Sequence, residues 1–325
     1  MSVLAAGAAP VVVTAPRYRP FHLQVVRRQR LSPGFVRITL GGADLADFGA
    51  AGWDQRIKVV PPVAGRRWQD APEDWFGWWR ALPEETRPPM RTYTVRAARP
   101  AAGEIDVDFV LHDVDTAQAG LQRTGPEHAG PAATWAATAT PGDRVVVIGP
   151  SAPGTGRMWG VEFAPPPAAR SVLLAGDETA VPAISAILEA LPQHLHVTAL
   201  LEVPQAADIL PLTTAADARI EWMPRAGSRA PHGRLLTEAV RRHTAGLGAT
   251  GAQVPVLEDV DVDAGLLWEV PDAPGACGQD GLYAWLAGEA GMVKELRRHL
   301  VREVGVPRES VAFMGYWRRG RAEHA

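Results

Sequence analysis

The hydrophobic pattern of this chain changes period once, near the three consecutive prolines at 165–167. Before them, apolar and polar residues alternate. Ile105, Val107, Phe109 and Leu111 are interleaved with Asp106, Asp108 and His112, the mark of an antiparallel strand buried on one face. Companion strands are predicted over 22–28, 35–40, 55–60 and 145–148, with Pro- and Gly-containing turns between them. After the prolines the runs become short and wholly apolar. The first, 171–175, is followed by Val181, Ile184, Ile187, Leu188 and Leu191 at helical spacing. More buried strands are predicted over 196–203, 219–223, 282–287 and 310–314, with Leu266-Leu267-Trp268 at the sheet edge. The two periods need two architectures: an N-terminal antiparallel β-barrel over 18–150 and, past a linker at 151–169, a doubly wound parallel α/β domain over 170–325. A length of 325 residues agrees with two cores rather than one.

Composition narrows the functional classes. A net charge of -3 argues against a general nucleic-acid binder. The single cysteine, Cys277, excludes an internal disulfide and a cysteine-ligated iron–sulfur cluster within the chain. The spacing of His, Cys and carboxylates shows no metal site, and no run approaches the ~18 apolar residues of a membrane span. Residues 1–17 are Ala- and Val-rich, are broken by Pro10 and Pro16, and lack a basic leader. They read as a disordered tail, and the chain as cytoplasmic and monomeric.

The chemistry concentrates in the hexapeptide Arg91-Thr92-Tyr93-Thr94-Val95-Arg96. On one strand, Arg91, Tyr93 and Val95 share a face, and Thr92, Thr94 and Arg96 the other. A flavin dinucleotide asks for this mixture: a flat partner for its ring, short donors for the ring edge and a guanidinium for its pyrophosphate. An ordinary strand with two surface arginines fits equally well. The segment 66–89 holds Trp68, Trp75, Trp78 and Trp79 and reads as a loop or short helix packed on the barrel, while Val114 to Ala129 reads as an insertion. Gly176-Asp177-Glu178-Thr179 lies between an apolar run and a helix, half of a nucleotide-binding βαβ unit without the glycine fingerprint. Arg225, Arg229, His232 and Arg234 form either a solvated face or a phosphate contact.

Four stretches together carry a resemblance: Arg-x-Tyr-Thr-x-Arg at 91–96, Gly-Asp-Glu-Thr-Ala-x-Pro-Ala at 176–183, Trp-Leu-Ala-Gly-Glu-Ala at 285–290 and Phe-Met-Gly-Tyr-Trp-Arg at 313–318. The chain resembles, over 18–322, the siderophore-interacting proteins, the ferric-siderophore reductases of the wider ferredoxin-reductase-like superfamily. The resemblance implies FAD in the barrel, with Tyr93 on the isoalloxazine, Thr94 at the ring edge, Arg91 on phosphate, and Arg96 and His112 as further contacts. It puts the pyrophosphate at a helix start near 130–136; Ala133 replaces the usual serine, leaving Thr134 and Trp135 as neighbours of the cofactor. It brings NADPH or NADH toward Gly176, Asp177, Glu178 and Thr179, with Trp317 either covering the ring or packing the C-terminus. Lys58, Arg318 and Arg319 would hold an anionic ferric siderophore. The implied reaction passes electrons through FAD to Fe(III) and releases Fe(II), with a ferredoxin as the alternative donor. Its rivals are a reductase of free flavin, a quinone or a biosynthetic partner, and a siderophore carrier without activity. Glu202, at the end of the second parallel strand, stands where an acid would read a ribose hydroxyl.

Overall fold

A computed structural model describes residues 18–66, 68, 71–111, 130–151, 160–247, 267–271, 277 and 281–319. The predicted tail at 1–17, His112, the insertion at 114–129 and most of 245–280 lie outside the described residues.

Seven antiparallel strands form the first sheet: β1 (Tyr18–Arg30), β2 (Phe35–Gly41), β3 (Arg56–Val60), β4 (Arg91–Thr94), β5 (Ala97–Arg99), β6 (Glu104–Val110) and β7 (Arg144–Pro150). Their spatial order is β4-β3-β7-β1-β2-β6-β5. β4 and β5 are thus the two ends of the sheet, yet only Val95 and Arg96 separate them in the chain. The sheet must curl until its edges meet. Val95 N donates to Gln55 O beside β3, and Arg96 N donates to Asp106 O of β6. The hexapeptide is therefore not one strand, as its alternation predicts. It changes partner at the seam because each edge needs a neighbour for its backbone groups. Phe21, Leu23, Val36, Ile38, Val59 and Val107 fill the interior. The Trp-rich segment folds as predicted: α1 (Trp75–Ala81) packs Trp79 against Val60, Met90 and Ile148 on the outer face. A second short helix, α2 (Pro131–Thr138), lies against β6 and β2.

The second sheet has the order β10-β9-β8-β12-β13-β11, with β8 (Ser171–Gly176), β9 (His196–Val203), β10 (Asp217–Pro224), β11 (Trp268–Glu269), β12 (Leu282–Glu289) and β13 (Val311–Trp317). Five strands are parallel. β11 pairs antiparallel with β13, so the sheet is mixed rather than purely parallel, with Trp268 at the expected edge. Both faces are covered. Val172, Leu174 and Val197 point to α3 (Val181–Ala190), whereas Leu173, Ala175 and Leu200 point to α4 (Arg234–Thr244) and α5 (Ala290–Arg298). This is why these strands read as continuous apolar runs.

The two sheets share contacts. Phe35 and Val110 of the curled sheet join the α3-side core. Asp54, fully buried, accepts from Glu162 N, Phe163 N and Trp285 Nε1 at 3.0–3.2 Å. Asp208 accepts from Ser32 Oγ at 2.7 Å and Gly34 N at 2.6 Å. The end of the predicted linker, at Glu162 and Phe163, is thus pinned rather than loose.

Candidate functional site

At the seam, β4 pairs with β3 so that Tyr93 lies opposite Ile57 and Thr92 opposite Lys58. Tyr93 is half-buried and rests on Phe109, ring centroids 4.3 Å apart, and Trp135 of α2 meets Phe109 edge-on at 5.7 Å. Arg91 donates through Nη1 to the neighbouring Met90 O at 2.9 Å, and Thr94 is buried. α2 begins at Gly130 without any side-chain cap, and Pro131 has no amide, which leaves the next amides to an external acceptor. The indole Nε1 of Trp135 is buried with no hydrogen-bond partner. Thr134, by contrast, turns its hydroxyl back to Gly130 O at 3.2 Å. An uncapped helix start, an orphaned indole donor and a half-covered tyrosine beside one arginine fit a dinucleotide with a flat ring.

Arg96 is different. Its guanidinium makes a two-pronged pair with Glu189 at the end of α3 and lies 3.7 Å from Asp108. It ties the sheets together, and two carboxylates share its charge.

Lys58 donates to Thr92 Oγ1 at 2.7 Å and shares its face with Thr92 rather than with Tyr93. Two residues earlier, Arg56 lies 4.3 Å from the Trp268 ring centroid, and Trp268 stacks on Tyr316 at 6.0 Å. Arg318 is two residues past Tyr316. The segments carrying Lys58 and Arg318 therefore start from one common contact between the sheets. Arg319 is exposed, and its amide donates to Glu289 Oε1 at 3.3 Å.

The carboxyl edge of the second sheet holds a closed set of charges. Asp177 is fully buried. Its Oδ1 accepts from Thr179 N at 2.9 Å and from the Thr179 hydroxyl at 2.5 Å; its Oδ2 accepts from Glu289 N at 2.8 Å and Trp317 Nε1 at 2.9 Å. Gly288 allows this approach: at φ 144° it avoids strain, and a Cβ there would sit 2.6 Å from Asp177 Oδ2. Glu178 takes both prongs of Arg225 at 2.8 Å. Burial pushes the Glu178 carboxyl up, but His232 and Arg225 outweigh it and hold it well below the carboxylate range. Asp177 goes the other way, raised by burial and by Glu178. Glu202, with no exposure, accepts from Gly233 N at 2.6 Å and Leu236 N at 2.9 Å and lies 3.3 Å from Arg225. It serves the start of α4. Sequence inspection missed the joining of Arg225 and His232 to these acids. The signal was a cation-rich segment following two strands that each end in acid.

The chain is similar to known proteins over nearly its whole length. The siderophore-interacting FAD-binding domain matches residues 24–154, and the siderophore-interacting protein family matches residues 169–320. An uncharacterised protein of Mycobacterium tuberculosis is 35% identical over 313 residues, covering 94% of this chain and 93% of that protein. Ferric vibriobactin reductase of Vibrio cholerae is 29% identical, covering 95% and 93%. The crystal structure of a siderophore utilization protein from T. fusca superposes with a TM-score of 0.66 at 29% identity, covering 96% and 97%.

Proposed function

This chain belongs to the siderophore-interacting protein family, and from that membership we propose that it is an FAD-dependent reductase of ferric siderophores. The observation that carries the reading is the seam: Arg91, Tyr93, Thr94, the uncapped start of α2 and the orphaned Trp135 donor are the partners a flavin dinucleotide needs. Bound there, FAD supplies redox chemistry that can take electrons in pairs and pass them on singly. Arg91 would grip the pyrophosphate, Tyr93 would orient the ring from one side, and Thr94 would serve its edge. Residues 18–150 then form the cofactor domain and 170–319 the domain that receives NADPH or NADH near Thr179 and Gly288.

Lys58, Arg318 and Arg319 would hold an anionic ferric chelate, starting from the Arg56–Trp268–Tyr316 contact. Oxygen-rich chelators bind Fe(II) far more weakly than Fe(III), because the lower charge attracts hard anionic oxygens less; reduction therefore frees the metal. The test is anaerobic. The purified protein should be yellow, should bleach with NADPH, NADH or a reduced ferredoxin, and should regain colour on addition of a ferric siderophore. Faster turnover of free flavin or a quinone would replace this acceptor. A colourless protein that binds ferric siderophore would make it a carrier.

A further inference from the structure

His232 sits in the segment that leads from β10 to α4, with a side chain only 11% exposed. Neither ring nitrogen has a hydrogen-bond partner. Its Nε2 lies between two carboxylates, 3.5 Å from Glu178 Oε2 and 3.7 Å from Asp177 Oδ2. Its ring meets that of Trp317 edge-on, centroids 5.1 Å apart at 82°. Trp317 is thus held twice, by the imidazole edge and by the Asp177 oxygen that accepts its indole N–H.

The charges around His232 divide unequally. Glu178 and Glu202 both have Arg225. Glu289 caps α5 through Met292 N. On the histidine's own segment, Arg229 is exposed and Arg234 is paired with Glu238. Among the described residues, Asp177 has one cation within ion-pair distance, and it is His232. A fully buried carboxylate whose counter-charge is lost to rising pH has no proton to take in its place and is driven to open to water, which weakens the bond from Trp317.

We propose that His232 is a positioning residue: its imidazolium keeps Asp177 ionised and so clamps Trp317, and with it Arg318 and Arg319, at the end of β13, and the clamp loosens when the imidazole gives its proton to solvent. The consequence for turnover rests on the reductase reading above; the clamp itself does not. Burial works against the imidazolium, but Glu178 and Asp177 outweigh it and keep the ring protonated above the usual histidine range, so the transition belongs on the alkaline side of about 6.5.

The experiment follows the Trp317 indole N–H by NMR in the full chain, labelled with [15N]tryptophan and assigned by the peak lost in Trp317→Phe. The expected result is a shift of this resonance between pH 6 and 9 that disappears in His232→Gln, with the remaining indole peaks unmoved. A resonance that stays still in the wild-type chain overturns the proposal without needing any variant. An identical titration in His232→Gln overturns it by assigning the proton to Asp177 alone. In turnover, His232→Gln should raise KM for an anionic ferric chelate roughly 3- to 10-fold at pH 6 with kcat unchanged, and its KM should no longer depend on pH. His232→Arg should restore the low KM without restoring the pH dependence. An unchanged KM and profile in His232→Gln would also overturn it. NMR coupling in a chain that reduces no ferric chelate would leave the clamp standing and remove the reductase reading.

Discussion

The seam at β4 and the carboxyl edge of the second sheet look alike as sequences: each is a short polar run with arginine, acid or hydroxyl between apolar stretches. In the fold they differ. At the seam, the start of α2 is uncapped and the buried Trp135 indole lacks a partner. At the edge, the carboxylates of Asp177, Glu178 and Glu202 are taken by backbone amides, Arg225 and Trp317, while the His232 ring beside them has no hydrogen bond. An open set of donors is what a ligand can use. A closed one holds the protein together, and removing a member costs stability before it costs binding.

Removing Arg225 should separate the two regions most strongly. Arg225→Ala leaves Glu202 buried without its cation and Glu178 with His232 alone, and a broken buried pair costs about 3–5 kcal/mol. Urea unfolding should register that loss. A variant of wild-type stability would show that the cluster is not the closed set described here.

Asp54 provides a contrast in pH. Burial outweighs its hydrogen bonds from Phe163 and Trp285 and pushes its carboxyl up to about 6. A raised folded value means that its contribution is complete below pH ~4 and is lost as pH rises through about 6, on the order of 3 kcal/mol in all. Glu178, held low, behaves oppositely: its stabilisation is present above pH ~4 and fades only in stronger acid. Denaturation of wild type and Asp54→Asn from pH 4.5 to 7.5 should show a fall in stability that the variant lacks. Equal slopes would mean that Asp54 stays ionised throughout.

At the seam the effects should fall on the cofactor rather than on the fold. Arg91→Ala is expected to weaken FAD binding by ~1.5–3 kcal/mol, roughly 10- to 150-fold, through loss of a charge-assisted contact. Flavin retained on desalting gives the answer, and a fully yellow variant would move the phosphate site away from Arg91. Tyr93→Ala should cost less, about 0.5–1.5 kcal/mol, with a changed flavin absorption band. An unchanged spectrum would mean that another residue lies on the ring. Neither substitution should match the unfolding effect of Arg225→Ala.

The amino-acid sequence by itself determined the two periods, and with them a curled antiparallel sheet followed by an α/β sheet covered on both faces. Burial on one face or on two leaves its trace in consecutive residues. That Arg91 and Tyr93 share a face was also legible, because a strand puts residues two apart on one side wherever the strand lies. What each charge does was decided only by the tertiary structure. Arg96 reads along the chain as the second arginine of a cofactor motif, and the fold gives its guanidinium Glu189, 93 residues away. Glu202 reads along the chain as an acid at a strand end, and the fold gives its two oxygens the amides at the start of α4, 31 and 34 residues on. His232 stood in a cation-rich segment readable as a solvated face or a phosphate contact, and its place among Asp177, Glu178 and Trp317 came only with the fold. Period is written between neighbours along the chain, whereas the partner of a charge is chosen by whatever the fold brings within about 4 Å, where desolvation makes pairing strong and lack of a partner costly.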